Sequence, residues 1–103
     1  MKKFKCEVTQ NYDYEIEIDE TIWTEEAIKE WSKSFYDAYD LRDIVEIIAK
    51  MKTGHEDGEF IEGFGIPMIN GKEPFTFGIP DISHDININI IRSDIDVDST
   101  LIN

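Results

Sequence analysis

The stretch DIDVDS, residues 94–99, places three carboxylates at alternate positions, as the first half of an EF-hand calcium loop does. Such a loop also needs a glycine at its sixth position, where the chain turns sharply, and Ser99 occupies that position here. The residues between the aspartates, Ile95 and Val97, are apolar and β-branched. This alternation favours a strand over a calcium loop for Asp94, Asp96 and Asp98.

The two histidines lie among carboxylates and could bind a metal ion or transfer protons. His55 precedes Glu56 and Asp57, and His84 lies beside Asp85. A mixed histidine and carboxylate site would require these two segments to meet in space. The sequence contains no GxSxG, HExxH or glycine-rich phosphate-loop motif. We therefore expect a protein that is not an enzyme and uses no cofactor, with a small metal- or ligand-binding domain as the alternative.

Carboxylates dominate residues 13–26, which contain no lysine or arginine. The acidic residues of this segment are Asp13, Glu15, Glu17, Asp19, Glu20, Glu25 and Glu26. On an extended strand, alternate side chains share a face at a spacing of about 6.6 Å, which is of the same order as the phosphate separation along a nucleic-acid strand. Asp94, Asp96 and Asp98 repeat this spacing. The pattern predicts an acidic face that binds a basic surface of a nucleic-acid-binding protein.

The overall charge points to the same kind of partner. The chain has 23 Asp and Glu residues against 10 Lys and Arg residues, a formal net charge of −13 in 103 residues. Such a surface repels phosphate backbones and anionic lipids, so direct binding to nucleic acid or to a membrane is disfavoured. Acidic faces are also common where they are simply solvated. Function therefore depends on whether these charges are gathered on one surface.

Length and composition predict one globular domain over residues 1–103. With 41% hydrophobic residues, the chain can fill a core without disulfides. Cys6, the single cysteine, lies on the apolar side of a predicted strand, and we expect a buried structural thiol. One unpaired cysteine fits a reducing cytoplasm. No apolar run reaches membrane-spanning length, so we expect a soluble protein.

The first strand signal covers residues 4–18, where even positions are mostly apolar or aromatic and odd positions are polar. The alternation keeps its phase throughout. Either a three-residue loop at residues 10–12 or one long strand of about 50 Å preserves this phase.

Two helices follow. Thr24 and Asp40 are suitable N-cap residues, each preceding apolar positions at helical spacing. Trp31 is expected in the core. Trp23 is expected to pack as a hydrophobic staple at the start of the first helix, with an exposed protein-binding patch as the alternative. Three further aromatic residues near the end of that helix could anchor a protein interface, although core packing is the default expectation. They are Phe35, Tyr36 and Tyr39.

The segment after the helices contains Asn70-Gly71, which is typical of a type I′ hairpin turn. Pairing around this turn would place Ile66 beside Phe75 and Phe64 beside Phe77. It would also set Pro67 opposite Pro74, so that both backbone donors would be missing. A longer loop or an edge hairpin is the alternative.

The C-terminal segment alternates again, but its apolar residues change from even to odd positions after Ile90. A β-bulge or a tight turn near Arg92–Ser93 explains this change. Together these elements predict an α+β fold: an antiparallel sheet of four to five strands with two helices on one face, in the order β-(β)-α-α-β-β-β.

The stretch KFKCEVTQNYDYEIEIDETIWTEEAIKEW, residues 3–31, resembles small acidic proteins of phages and mobile elements in size, acidity and α+β pattern. Some of these proteins inhibit restriction enzymes or RNA-guided nucleases by occupying a DNA-binding groove. The resemblance implies an anti-restriction or anti-CRISPR inhibitor, or an accessory phage protein. It assigns no binding residue to a position in this chain. A structural subunit that adds a strand to another copy's sheet is a further alternative.

Overall fold

The computed structural model describes residues 1–76 and 81–102. It contains five elements: strand β1 (Phe4–Ile18), helix α1 (Glu25–Ser34), helix α2 (Leu41–Lys52), strand β2 (Ile66–Ile69) and strand β3 (Ile82–Leu101). The strands form one sheet in the order β1-β3-β2. The α+β class is confirmed. The sheet is three-stranded and mixed, so the expectation of four to five antiparallel strands was wrong.

β1 is one uninterrupted strand of 15 residues. It pairs antiparallel with β3 from Phe4, opposite Leu101, to Ile18, opposite Ile86. Because β3 supplies a partner along the whole length of β1, no loop at residues 10–12 is needed to shorten it. The resulting two strands extend the molecule to 58 Å along its longest axis, against 30 and 23 Å along the others.

A β-bulge interrupts the pairing of β1 with β3. Tyr14 lies opposite Ile90, whereas Asp13 lies opposite Arg92, so Ile91 is the extra residue. The predicted change of phase near Arg92 is therefore confirmed as a bulge. It lets β3 follow the side-chain alternation of β1 on both sides of the interruption.

β2 pairs with β3 in the parallel direction, with Ile66 opposite Ile82 and Met68 opposite Asn87. The predicted hairpin of Ile66 with Phe75 is wrong. The turn itself exists, since Asn70 and Gly71 both have positive φ, as a type I′ turn requires. Among the described residues, one antiparallel bridge, between Ile69 and Lys72, closes this turn. The predicted partner of Phe64, Phe77, lies outside the described residues.

The prolines explain why the hairpin stops at one bridge. Pro74 has no amide hydrogen to donate back to the preceding strand, so pairing beyond Lys72 would lose a hydrogen bond. β3 offers β2 a parallel partner instead, with a shift of register between Pro67 and Met68. The backbone amide of Asn70 donates to the Ile88 carbonyl oxygen over 2.9 Å.

Both helices begin where the sequence predicts. The Thr24 hydroxyl accepts a hydrogen bond from the Ala27 amide over 3.2 Å, and an Asp40 carboxylate oxygen accepts one from the Asp43 amide over 2.9 Å. These bonds satisfy amide groups that have no partner within a helix. Capping therefore fixes the start of α1 and of α2.

The core lies between the helices and one side of the sheet. Two residues of each helix form its centre: Ile28 and Trp31 of α1, and Ile44 and Ile48 of α2. They pack with buried residues of β2, β3 and the segments that join α1 to α2 and α2 to β2. The residues of this cluster outside the helices are Ala38, Ile61, Phe64, Ile69, Ile86 and Ile88. Tyr14, Ile16 and Ile18 of β1 pack against the same cluster. The expected core position of Trp31 is confirmed, and the half-buried Trp23 packs against this core.

The helices cover only part of the long strand pair. Residues 4–13 of β1 and 92–101 of β3, here called the ribbon, extend beyond the core, and most of their side chains are exposed. Cys6 belongs to the ribbon and is exposed, so the expectation of a buried thiol was wrong. The alternation assigned Cys6 to the apolar side of β1 correctly, but no helix covers that side at this distance from the core.

Candidate acidic binding face

One face of the sheet gathers acidic side chains from both ends of the chain. Residues directly opposite each other in an antiparallel pair project to the same side. Asn11 lies opposite Asp94, Thr9 opposite Asp96, and Glu7 opposite Asp98. The odd-numbered residues of β1 therefore share a face with the three aspartates of β3. We call this surface the acidic face and define its carboxylates as Glu7, Asp13, Glu15, Glu17, Asp94, Asp96 and Asp98.

The bulge at Ile91 is what brings the two sets of carboxylates together. Before the bulge, the even-numbered residues of β3, such as Ile86 and Ile88, point into the core. Without an extra residue, Asp94 and Asp96 would continue on that same side. The single extra residue moves the even-numbered aspartates to the side that carries Glu15 and Glu17.

Most of these carboxylates have no cationic partner. Among the described residues, two ion pairs involve the acidic face: Lys5 with Glu7 at 3.7 Å, and Arg92 with Asp94 at 3.1 Å. Hydrogen bonds from Arg92 and Asn11 lower the pKa of the Asp94 carboxyl below its usual value. The remaining five carboxylates of the face form no ion pair with a described residue. The face is therefore strongly negative at neutral pH.

Glu17 is held in place by neutral donors. The side-chain amides of Asn87 and Asn89 donate to the same oxygen of Glu17 over 3.2 and 2.8 Å. These hydrogen bonds leave the charge of Glu17 intact while they limit its rotamers. The acidic face thus presents at least one carboxylate in a fixed position.

Four of the predicted binding residues lie outside this face. Asp19 and Glu20 follow the end of β1, and Glu25 and Glu26 form the first turn of α1. α1 packs on the opposite side of the sheet, through Ile28 and Trp31. The structure thus brings together six of the ten predicted acidic residues: Asp13, Glu15, Glu17, Asp94, Asp96 and Asp98.

Asp19 has a local structural role. One of its carboxylate oxygens accepts hydrogen bonds from the Thr21 amide over 2.9 Å and from the Thr21 hydroxyl over 2.6 Å. These bonds lower the pKa of the Asp19 carboxyl. They form a compact turn that directs the chain from β1 towards α1.

The histidines bond to separate partners. The Nε2 atom of His84 lies 2.6 Å from a carboxylate oxygen of Glu73, and the Nδ1 atom of His55 lies 2.7 Å from the Met51 carbonyl oxygen. Within residues 1–76 and 81–102, no three His, Cys, Asp or Glu side chains are grouped as metal ligands would be. Asp94, Asp96 and Asp98 lie in a strand, as their alternation with apolar residues predicts.

A cleft lies where the ribbon joins the body of the protein. Its volume is about 640 Å³, and Tyr12, Tyr14 and the segment 52–57 line it. The two tyrosine rings stack with centroids 6.0 Å apart. Burial raises the pKa of the Tyr14 hydroxyl, and Tyr12 and Asp57 raise it further.

Lys52 is the buried charge beside this cleft. It is 7% exposed, and its Nζ atom donates to the His55 carbonyl oxygen over 2.9 Å and lies 3.0 Å from an Asp57 carboxylate oxygen. These contacts order the loop that forms one wall of the cleft. No sequence pattern distinguishes Lys52 from Lys50, the other lysine in the last turn of α2, so its burial was not predicted.

Sequence reasoning also missed several members of the acidic face. Glu7, Arg92, Asn87 and Asn89 lie on it, and each follows from the strand alternation once the register of β1 against β3 is known. That register could be found by placing the bulge at Ile91. Only then do apolar residues of both strands fall on one side.

Comparison with known proteins gives no relative: no family model matches the chain, and no curated protein or solved structure matches it. None of the helices within the described residues is long and apolar enough to span a lipid bilayer.

Proposed function

We propose that this chain is a non-enzymatic protein-binding module, whose acidic face occupies the cationic groove of a nucleic-acid-binding enzyme and thereby inhibits it. The observation that supports this proposal is the convergence of carboxylates from residues 13–17 and 94–98 on one side of one sheet. These segments are distant in the sequence and belong to different strands. Placed together on one side, they form a continuous negative surface that a cationic groove can complement.

The electrostatic cost of the arrangement also favours a function. Like charges placed next to each other on a sheet destabilise the folded state, and a modest net charge is enough for solubility. The face nevertheless carries seven carboxylates and only two ion pairs among the described residues. A cationic partner would relieve this repulsion when it binds.

The geometry suits a groove that normally holds a nucleic acid. Carboxylates repeat along each strand at about 6.6 Å, and the two strands lie about 4.8 Å apart. A rigid sheet presents these charges without the loss of conformational entropy that a disordered acidic segment would suffer on binding. Long-range attraction should make association fast at low salt and weaker as salt rises.

The proposal is tested by affinity capture from a lysate of the native host. The immobilised chain is compared with the double variant Glu15→Lys/Glu17→Lys, at low and at high salt. We expect the wild type to retain a nucleic-acid-binding protein that duplex DNA or RNA displaces, and the variant to lose it.

The matched control is Glu20→Lys/Glu62→Lys, which changes the net charge equally but away from the acidic face. It should retain the same protein. If both double variants lose the captured protein equally, the change in net charge alone accounts for the loss. Retention by the Glu15→Lys/Glu17→Lys variant, or a captured protein that nucleic acid does not displace, would contradict the proposal.

A further inference from the structure

The side of the ribbon opposite the acidic face is apolar and exposed. It consists of Phe4, Cys6, Val8, Gln10 and Tyr12 on β1, and of their cross-strand partners Leu101, Ser99, Val97, Ile95 and Ser93 on β3. None of these side chains carries a charge at neutral pH. Val97 is 66% exposed, Val8 60% and Phe4 56%. We call this surface the ribbon face.

An isolated two-stranded ribbon is only marginally stable in water. Contiguous apolar surface on a protein with so many charges marks a contact site. The helices that cover the continuation of this side, at Tyr14, Ile16 and Ile18, end before the ribbon begins. Another apolar surface is needed to complete the sheet's packing.

We propose that the ribbon face packs against the ribbon face of a second copy of this chain, antiparallel, about a two-fold axis that passes near Val8 and Val97. This homodimer goes beyond the binding function proposed above and does not depend on it. It leaves both acidic faces on the outside. Two copies with a charge of −13 each can then approach through the one side of the ribbon that carries no charge.

Side-chain sizes along the ribbon are self-complementary about this axis. The cross-strand pair Val8–Val97 of one copy meets the same pair of the other copy. The small pair Cys6–Ser99 of one copy meets the larger pair Gln10–Ile95 of the other. The pair Phe4–Leu101 meets Tyr12–Ser93, so that Leu101 packs over the smaller Ser93 and the ring of Phe4 packs against the ring of Tyr12.

Charge complementarity selects the second copy as the occupant. Lys2 and Lys3 lie at the tip of the ribbon, just before Phe4, and make this end basic in a chain with a net charge of −13. The antiparallel arrangement carries this basic tip past Tyr12 of the partner copy, to the cleft of about 640 Å³. Asp57 in that cleft already pairs with Lys52, whereas Glu56 forms no ion pair with a described residue and is available to a lysine of the partner copy. A parallel arrangement would instead place the basic tips together.

The area is sufficient for a specific contact. Five large apolar side chains of the ribbon face are each more than half exposed. At roughly 100 Å² apiece, two faces together bury on the order of 1,000 Å², which is the lower limit for a specific interface. The lysine contacts at each end add to this area.

Sedimentation equilibrium over a wide concentration range tests the dimer. We expect a species of twice the 12.0 kDa chain mass. Val8→Lys places a charge at the two-fold axis and should raise the dimer dissociation constant by about tenfold or more. Thr9→Lys, the neighbouring position on the acidic face, should leave it unchanged. Fluorescence of Trp23 and Trp31, which lie in the body, confirms that each variant is folded.

A charge exchange tests the antiparallel register. Lys2→Glu should weaken the dimer, and Glu56→Lys in the same chain should restore it, while Asp57, which pairs with the buried Lys52, is left unchanged. A wild-type monomer at every concentration would overturn the proposal. So would a Val8→Lys dimer as tight as the wild type, or a charge exchange that fails to restore association.

Discussion

Glu7 and Asp98 lie directly opposite each other on β1 and β3, so two carboxylates occupy one cross-strand pair of the acidic face. Lys5 offsets part of this repulsion, since its Nζ atom lies 3.7 Å from a Glu7 carboxylate oxygen. Cross-strand like charges are destabilising, whereas opposite charges stabilise a sheet. The repulsion within this pair is therefore a local cost in stability that the acidic face carries.

Replacing Asp98 with lysine should therefore stabilise the ribbon. The substitution turns a like-charge pair into an opposite-charge pair, and we expect a gain of about 0.2–1 kcal/mol. Slower amide hydrogen exchange in residues 5–9 of the Asp98→Lys variant would show this gain in stability. Thr100→Lys is the control, because it places a lysine opposite Lys5 and should speed exchange. Equal exchange in both variants would mean that the cross-strand charges do not interact.

The sequence predicts the features that depend on residues close together along the chain, and it does not predict those that depend on distant residues. The caps at Thr24 and Asp40, the period-two alternation of β1 and the bulge after Ile90 are local signals, and the structure confirms each of them. The parallel pairing of β2 with β3 is a long-range choice. Local turn chemistry at Asn70-Gly71 pointed to a hairpin instead, and the loss of a donor at Pro74 outweighed it.

In the candidate site, too, the local features were predicted and the long-range ones were not. Spacing alone identified Glu15, Glu17 and Asp96 as members of acidic rows, but not that the rows share a face. That depends on the register between two strands at opposite ends of the sequence. The exposure of Cys6 and the burial of Lys52 were likewise missed, because each depends on how far α2 and the following loop extend over the sheet.

Gly63→Ala should destabilise the body of the protein. Gly63 has a φ of +89°, and an added Cβ would lie 3.0 Å from the Nε1 atom of Trp31, which donates to the Gly63 carbonyl oxygen over 2.7 Å. We expect a loss of roughly 1–3 kcal/mol in a urea titration. Gly71→Ala, with a φ of +76° but open space around it, isolates the backbone contribution and should cost less. Equal losses would show that Trp31 does not constrain this position.

Trp23→Phe should also lower the free energy of unfolding. The indole Nε1 atom of Trp23 donates to an Asp85 carboxylate oxygen over 2.6 Å and so ties the start of α1 to β3. Phenylalanine keeps most of the packing against Phe64 but leaves the half-buried carboxylate without this donor. We expect a loss of about 1–3 kcal/mol. In Asp85→Asn the amide oxygen can still accept, so the loss should be smaller. If Asp85→Asn lowers the free energy of unfolding as much as Trp23→Phe does, the hydrogen bond is not the cause of the loss in Trp23→Phe.

The turn at Asp19 should add a contribution to stability that depends on pH. Its folded-state pKa is lowered by the bonds from Thr21, so its stabilising effect is present above the unfolded-state pKa and is lost as the pH falls through the folded value. The gap in melting temperature between the wild type and Asp19→Asn should therefore narrow below a pH of about 4. Thr21→Val should show the same trend with a smaller gap. A gap that stays constant across the acidic range would contradict this role.

The most direct test of the acidic face is the affinity of the captured partner for variants that alter one strand at a time. Glu15→Lys/Glu17→Lys changes β1, and Asp96→Lys/Asp98→Lys changes β3, at opposite ends of the sequence. If the two strands form one binding surface, each variant lowers the affinity for the same partner, and nucleic acid competes with the wild type. Unchanged affinity in the β3 variant, alongside a loss in the β1 variant, would contradict a single shared face.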